Sequence, residues 1–94
     1  MAKVNVRFVG PWRLYLGVER FTMQATTVED FIRQMEETYG PRYHERLLSH
    51  GVKEQRTISG DSNILVNRVH IRQLADHTLK DGDNIDVIGR FVGG

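Results

Sequence analysis

The sequence contains no cysteine, which excludes disulfides, thiolate metal sites, cysteine nucleophiles and persulfides on the chain itself. Lysine is scarce, with only Lys3, Lys53 and Lys80 against ten arginines. Lysine amines accept isopeptide bonds, whereas arginine pairs bidentately with carboxylates at protein surfaces, so the balance points to docking rather than heavy self-conjugation. Excess charge of one sign is also missing: 13 basic and 12 acidic residues leave a formal net charge of +1, too little to favour nucleic acid or an anionic membrane. No apolar run approaches the ~20 residues needed to span a bilayer. Met1-Ala2-Lys3-Val4-Asn5 alternates in polarity where a signal peptide needs a continuous apolar stretch. A cytoplasmic protein with no direct nucleic-acid or membrane contact is expected.

What remains is the composition of one folded unit: 94 residues, 39% apolar and 27% charged. Val4, Val6 and Phe8 alternate with Asn5 and Arg7 as in a half-buried strand, and Gly10-Pro11 breaks it. A connection carrying Trp12, Leu14, Tyr15 and Leu16 leads to a second strand over residues 18–25. Trp12 and Tyr15 are read as packing residues, with partner docking as the lesser alternative. Thr26-Thr27-Val28-Glu29 has the form of a capping box with Thr26 as cap and Glu29 reaching back. Val28, Phe31, Ile32, Met35 and Tyr39 then make one apolar helical stripe, which Gly40-Pro41 is expected to end.

Residues 42–62 read as an insertion in which Tyr43, Leu47 and Leu48 form one side of a short helix, followed by the turn signal Gly60-Asp61-Ser62-Asn63. Ile64-Leu65-Val66, Asn67-Arg68 and Val69-His70-Ile71 suit a tight hairpin, although arginine is a poor second turn residue. Lys80-Asp81-Gly82-Asp83 is a turn before a last strand over residues 84–88. The expected fold class is α+β: a mixed sheet with one main helix on one face and a short helical insertion, the first and last strands being central neighbours. His44, His50, His70 and His77 show no helical pairing or cysteine partner that would suggest a metal site, and Asp81 and Asp83 serve turn geometry.

Residues 1–88 are taken as the domain and residues 89–94, Gly89-Arg90-Phe91-Val92-Gly93-Gly94, as a flexible tail. Extended, six residues reach roughly 20 Å, enough to carry a terminal carboxylate into a partner's buried site. Glycines suit that use because, lacking Cβ, they pass a narrow channel and leave the carboxyl carbon open. A carboxylate is inert until activated, and the chain lacks a GxxxxGK[ST] loop to hold ATP, so activation falls to a separate enzyme.

These features resemble the ubiquitin-like β-grasp sulfur carriers, closest to the MoaD-like small subunit of molybdopterin synthase and more distantly to ThiS. The resemblance is carried by Val4-Asn5-Val6-Arg7-Phe8, Thr27-Val28, Ile64-Leu65-Val66-Asn67, Thr78-Leu79-Lys80-Asp81-Gly82-Asp83 and Gly93-Gly94. It implies no bound cofactor and no catalysis by the chain alone. Gly94 would be adenylylated by a ubiquitin-activating-enzyme-like adenylyltransferase that uses ATP, then thiocarboxylated with sulfur from a sulfurtransferase or cysteine desulfurase. Gly93 would thread the tail, Arg90, Phe91 and Val92 would dock partners, and the molybdopterin synthase large subunit would receive the sulfur. Many MoaD-like tails carry paired prolines where this one has Gly89-Arg90-Phe91, which leaves thiamine, thiolated tRNA or conjugation of Gly94 to lysines as alternatives.

Overall fold

Alternating polarity at the N terminus produces β1 (Ala2–Val9), with Ala2, Val4, Val6 and Phe8 buried and Lys3, Asn5 and Arg7 exposed. The computed structural model describes residues 1–90. The remaining elements are α1 (Trp12–Leu16), β2 (Arg20–Ala25), α2 (Val28–Ser49), β3 (Ser62–Val66), β4 (Val69–His70), a 3-10 turn (Ile71–Gln73) and β5 (Asn84–Gly89). The strands form one sheet in the order β2-β1-β5-β3-β4. β5 runs parallel to β1, and every other neighbouring pair is antiparallel. The first and last strands are thus central neighbours, as expected.

The helical stripe packs onto one sheet face: Val28, Phe31 and Met35 are buried against β-strand residues that include Val4, Val6, Ile64, Ile85 and Val87. Three local expectations change. The cap lies one residue later: the Thr27 hydroxyl accepts from the Asp30 amide at 3.1 Å, and the Asp30 carboxylate accepts from the Thr26 amide at 3.0 Å. A carboxylate one residue further along reaches back better than Glu29, which is left to bond elsewhere.

The second change is at Gly40-Pro41. The helix runs through it for 22 residues, so residues 42–49 are not a separate short helix. An interior proline removes one ladder hydrogen bond and costs about 3 kcal/mol or more. Continuation buries Tyr43 and Leu47, and a fully buried leucine alone contributes about 1.5–3 kcal/mol. Continuation also lets Arg42 donate to the Leu16 carbonyl at 2.8 Å, capping α1. The actual stop is Gly51, at φ 80°: its amide bonds to the Leu48 carbonyl at 3.0 Å and the Val52 amide to the Leu47 carbonyl at 2.8 Å, the paired bonds of a left-handed helix cap. Leu48 lies outside the packed stripe and is 50% exposed.

Third, the segment after Pro11 is helical, and Trp12 is fully buried beneath it, its ring edge-on to Tyr43 at 4.7 Å. Trp12 is therefore core, and Tyr15 is partly buried against it. The Asn67-Arg68 turn does form, with φ 49° and 70° at the two positions, as the hairpin twist requires. The strained Arg68 is tolerated because Asn67 is pinned on three sides: its amide donates to the Asn84 carbonyl at 2.7 Å, its carboxamide donates to Asp83 at 2.9 Å, and it accepts from the Asn84 amide at 3.0 Å.

Glu29, freed from capping, meets His77, whose other ring nitrogen faces the Ile71 carbonyl at 3.1 Å. Two acceptors on one imidazole select the doubly protonated cation. The Glu29 contact, then the Ile71 carbonyl, raise the His77 pKa, and the same contact lowers that of Glu29. The His77 contribution to stability is complete below its ordinary value, about 6.5, and fades as pH rises through the raised one; the Glu29 contribution is complete above about 4.3 and fades in acid. The pair thus supports the fold best between about pH 4.3 and 6.5. It is solvent-exposed, so the effect is small. The thermal midpoint of the wild type minus that of His77→Gln should shrink between about pH 6 and about pH 9; an equal difference at both would show that charge plays no part.

Candidate functional site

The parallel pairing of β1 and β5 puts their C-terminal ends side by side, with Val9 opposite Ile88. Antiparallel β3 begins at the same end, Ser62 opposite Gly89. The strand therefore continues one residue past the expected Ile88. The chain is held for one more: the Arg90 amide donates to the Asp61 carbonyl at 2.8 Å, and its guanidinium donates to the Gly60 carbonyl. Gly93, Gly94, Phe91 and Val92 lie outside the described residues. Arg90, expected to dock a partner, is exposed but already bonded within the chain.

The turn that receives Arg90 is fastened from several sides. Arg56 grips the Asp61 carboxylate in two bonds of 2.8 and 2.7 Å, and the Tyr43 hydroxyl donates to the same group. Arg56 first, then Tyr43, hold the Asp61 carboxyl below the usual range against the opposing effect of burial. Burial, reinforced by Asp61, pushes the Tyr43 phenol up, so it stays a donor. The Glu36 carboxylate accepts from the Ile58 amide at 3.0 Å, the Ser59 amide at 2.9 Å and the Ser59 hydroxyl at 2.7 Å. The Ser62 hydroxyl accepts from the Trp12 indole at 2.8 Å and donates to the Ile58 carbonyl at 2.6 Å. The bonds to the Asp61 and Glu36 carboxylates are charge-assisted, a class about twice as strong as neutral ones. The base of the C-terminal segment is thus tied to both helices as well as to the sheet.

Sequence reasoning missed Glu36, Tyr43, Arg56 and Asp61. A signal for Tyr43 existed, since the stripe 28, 31, 35, 39, 43 and 47 keeps helical spacing straight through Gly40-Pro41. Nothing in the sequence ties Asp61 to Arg56 or Arg90.

The uncovered sheet face is polar, with Arg7 paired to Asp86 at 3.0 Å. On the helical side, α1 and the second half of α2 border a groove of about 700 Å³ lined by Leu14, Leu48, Arg42 and Arg46. Among the described residues, no three His, Asp or Glu side chains converge as a metal ion would require. No helix among them is long and apolar enough to cross a membrane.

A five-stranded mixed sheet grasping one long helix, with its last strand at the centre and leading straight into the C-terminal segment, defines a small ubiquitin-like β-grasp protein. Solved structures agree. Small archaeal modifier protein 1 from Methanosarcina acetivorans is 27% identical, with 100% of this chain and 98% of that one covered and a TM-score of 0.70. The complex of subunits 1 and 2 of molybdopterin-converting factor from Helicobacter pylori gives 27% identity, 98% and 99% coverage and a TM-score of 0.61. The BexX/CysO complex from Amycolatopsis orientalis, at 22% identity, 97% and 99% coverage and a TM-score of 0.63, shares the fold. No curated protein matches the sequence. The model of the ThiS family matches residues 6–94, and the chain belongs to that family.

Proposed function

We propose that the chain is a sulfur carrier whose working group is the Gly94 carboxylate, activated by a separate adenylyltransferase and used to deliver sulfur during molybdopterin formation. The observation that carries the reading is the family match running through Gly93-Gly94, on a segment that leaves the centre of the sheet with a fastened base. A carboxylate oxygen attacks the α-phosphorus of ATP on the activating enzyme and expels pyrophosphate. Hydrosulfide, released when a thiol reduces the persulfide of a sulfurtransferase or cysteine desulfurase and is itself oxidised to a disulfide, then attacks the acyl carbon. AMP leaves, and the thiocarboxylate remains. The chain contributes the tether and its direction, and supplies no catalytic group. The likeness to the Helicobacter pylori complex supports a large-subunit recipient.

The likeness to small archaeal modifier protein 1 favours a second reading, transfer of the same activated carboxyl to lysine amines. Mass spectrometry of the chain produced with its activating enzyme and a sulfur source separates the two. Exchange of oxygen for sulfur at Gly94 is the expected result. Branched peptides joining Gly94 to lysines of other proteins, with no thiocarboxylate, would replace it with the modifier reading.

A further inference from the structure

We propose that Asp61 is a positioning residue for the C-terminal carboxylate: the turn it anchors clamps Arg90 and so fixes the direction of the chain at that residue. The inference rests on the carrier reading. Its basis is the chain of contacts from the helix layer to the C-terminal segment. Arg56 and Tyr43 hold the Asp61 side chain, the Asp61 carbonyl holds the Arg90 amide, and the Gly60 carbonyl holds the Arg90 guanidinium. Glu36 and Trp12 keep the same turn from shifting, through Ser59 and Ser62. Ordinary strand pairing ends at Gly89, so this fastening is additional to what the sheet provides.

The clamp acts through both length and direction, and the two differ in size. With Arg90 held, the four residues of sequence beyond it span at most about 14 Å of chain; releasing it adds about 3.5 Å. One more residue on so short a tether dilutes its end by less than about twofold. Loss of direction matters more, because misplacing a reacting atom by about 1 Å can cost up to about a hundredfold in rate. Asp61 does this through Arg90 and touches no reacting atom.

Steady-state pyrophosphate release should be measured with ATP and the adenylyltransferase that activates the wild-type chain, alongside hydrogen exchange at the Arg90 amide. In Asp61→Asn, where Arg56 loses its bidentate carboxylate and keeps only Glu54, and in Arg90→Ala, kcat should fall about tenfold while KM for the chain stays within about twofold. Amide exchange at residue 90 should accelerate in Asp61→Asn. Arg90→Lys, which keeps a donor for the Gly60 carbonyl, should recover most of the rate. Arg90→Ala alters an exposed side chain and remains informative even if Asp61→Asn fails to fold. A rise in KM with unchanged kcat would make Arg90 a docking residue and overturn the proposal. So would wild-type kcat in both variants. A wild-type chain that is never adenylylated overturns the carrier reading and takes this inference with it, which distinguishes the two failures.

Discussion

A chain carrying one residue after Gly94, or lacking Gly94, should release no measurable pyrophosphate with the activating enzyme, while its thermal unfolding stays where the wild type's is. Each change moves the terminal carboxylate by about 3.5 Å along the chain. That displacement exceeds by far the ~1 Å misplacement that can already cost a hundredfold. It is also measured from a fixed origin, since Arg90 is bonded to the Gly60-Asp61 turn, so slack nearer the body cannot absorb it. Stability should be untouched because the packed core ends within β5, whose last fully inward side chain is Val87. Pyrophosphate release by the extended chain at the wild-type rate would sink the carrier reading.

Trp12→Ala should have the opposite signature, a large loss of stability with the terminal carboxylate itself left in place. Trp12 is fully buried, packs edge-on against Tyr43 and donates to Ser62. Emptying such a site costs about 3–5 kcal/mol, out of the roughly 5–15 kcal/mol that a domain of this size has in total. At about 4–8 °C per kcal/mol for a domain of this size, the thermal midpoint should fall by roughly 12–40 °C. Trp12→Phe keeps one ring in the cavity but removes both the indole donor and the second ring, so its midpoint should fall by less than that of Trp12→Ala. A Trp12→Ala midpoint within a few degrees of wild type, followed by circular dichroism, would remove Trp12 from the core.

The sheet was legible where one side is buried and the other wet. Alternation in β1 and β5 named the inward residues because a half-buried strand has only one register that hides them. The hairpin at Asn67-Arg68 was readable from spacing alone. Gly40-Pro41 misled because a local breaker was weighed without the burial it opposed; Tyr43 and Leu47 outweigh it only through α1, whose helical turn was itself unread. The capping box slipped by one residue because two adjacent threonines and two adjacent acids allow either register. As for the site, Gly93-Gly94 stood out by composition, but the fastening of its base did not. Arg56, Asp61 and Arg90 are joined by folding across a segment with no periodicity, and Arg90 read as a docking residue because an arginine in a terminal stretch carries no sign of an internal partner.

The central place of β5 has a consequence for how the molecule is made. The strand between β1 and β3 is the last in chain order among the described elements, and its pairing with β1 joins residues about eighty positions apart, as Asn5 with Asn84. Until that strand leaves the ribosome, β1 and β3 have no common neighbour and the apolar face of α2 has only part of its cover. Such long-range parallel pairing is slow to form. Folding therefore waits for β5, and fragments that stop before Asn84 lack the strand that joins the two halves of the sheet. Prematurely terminated copies would then be cleared as unfolded chains instead of competing as inert decoys for the activating enzyme.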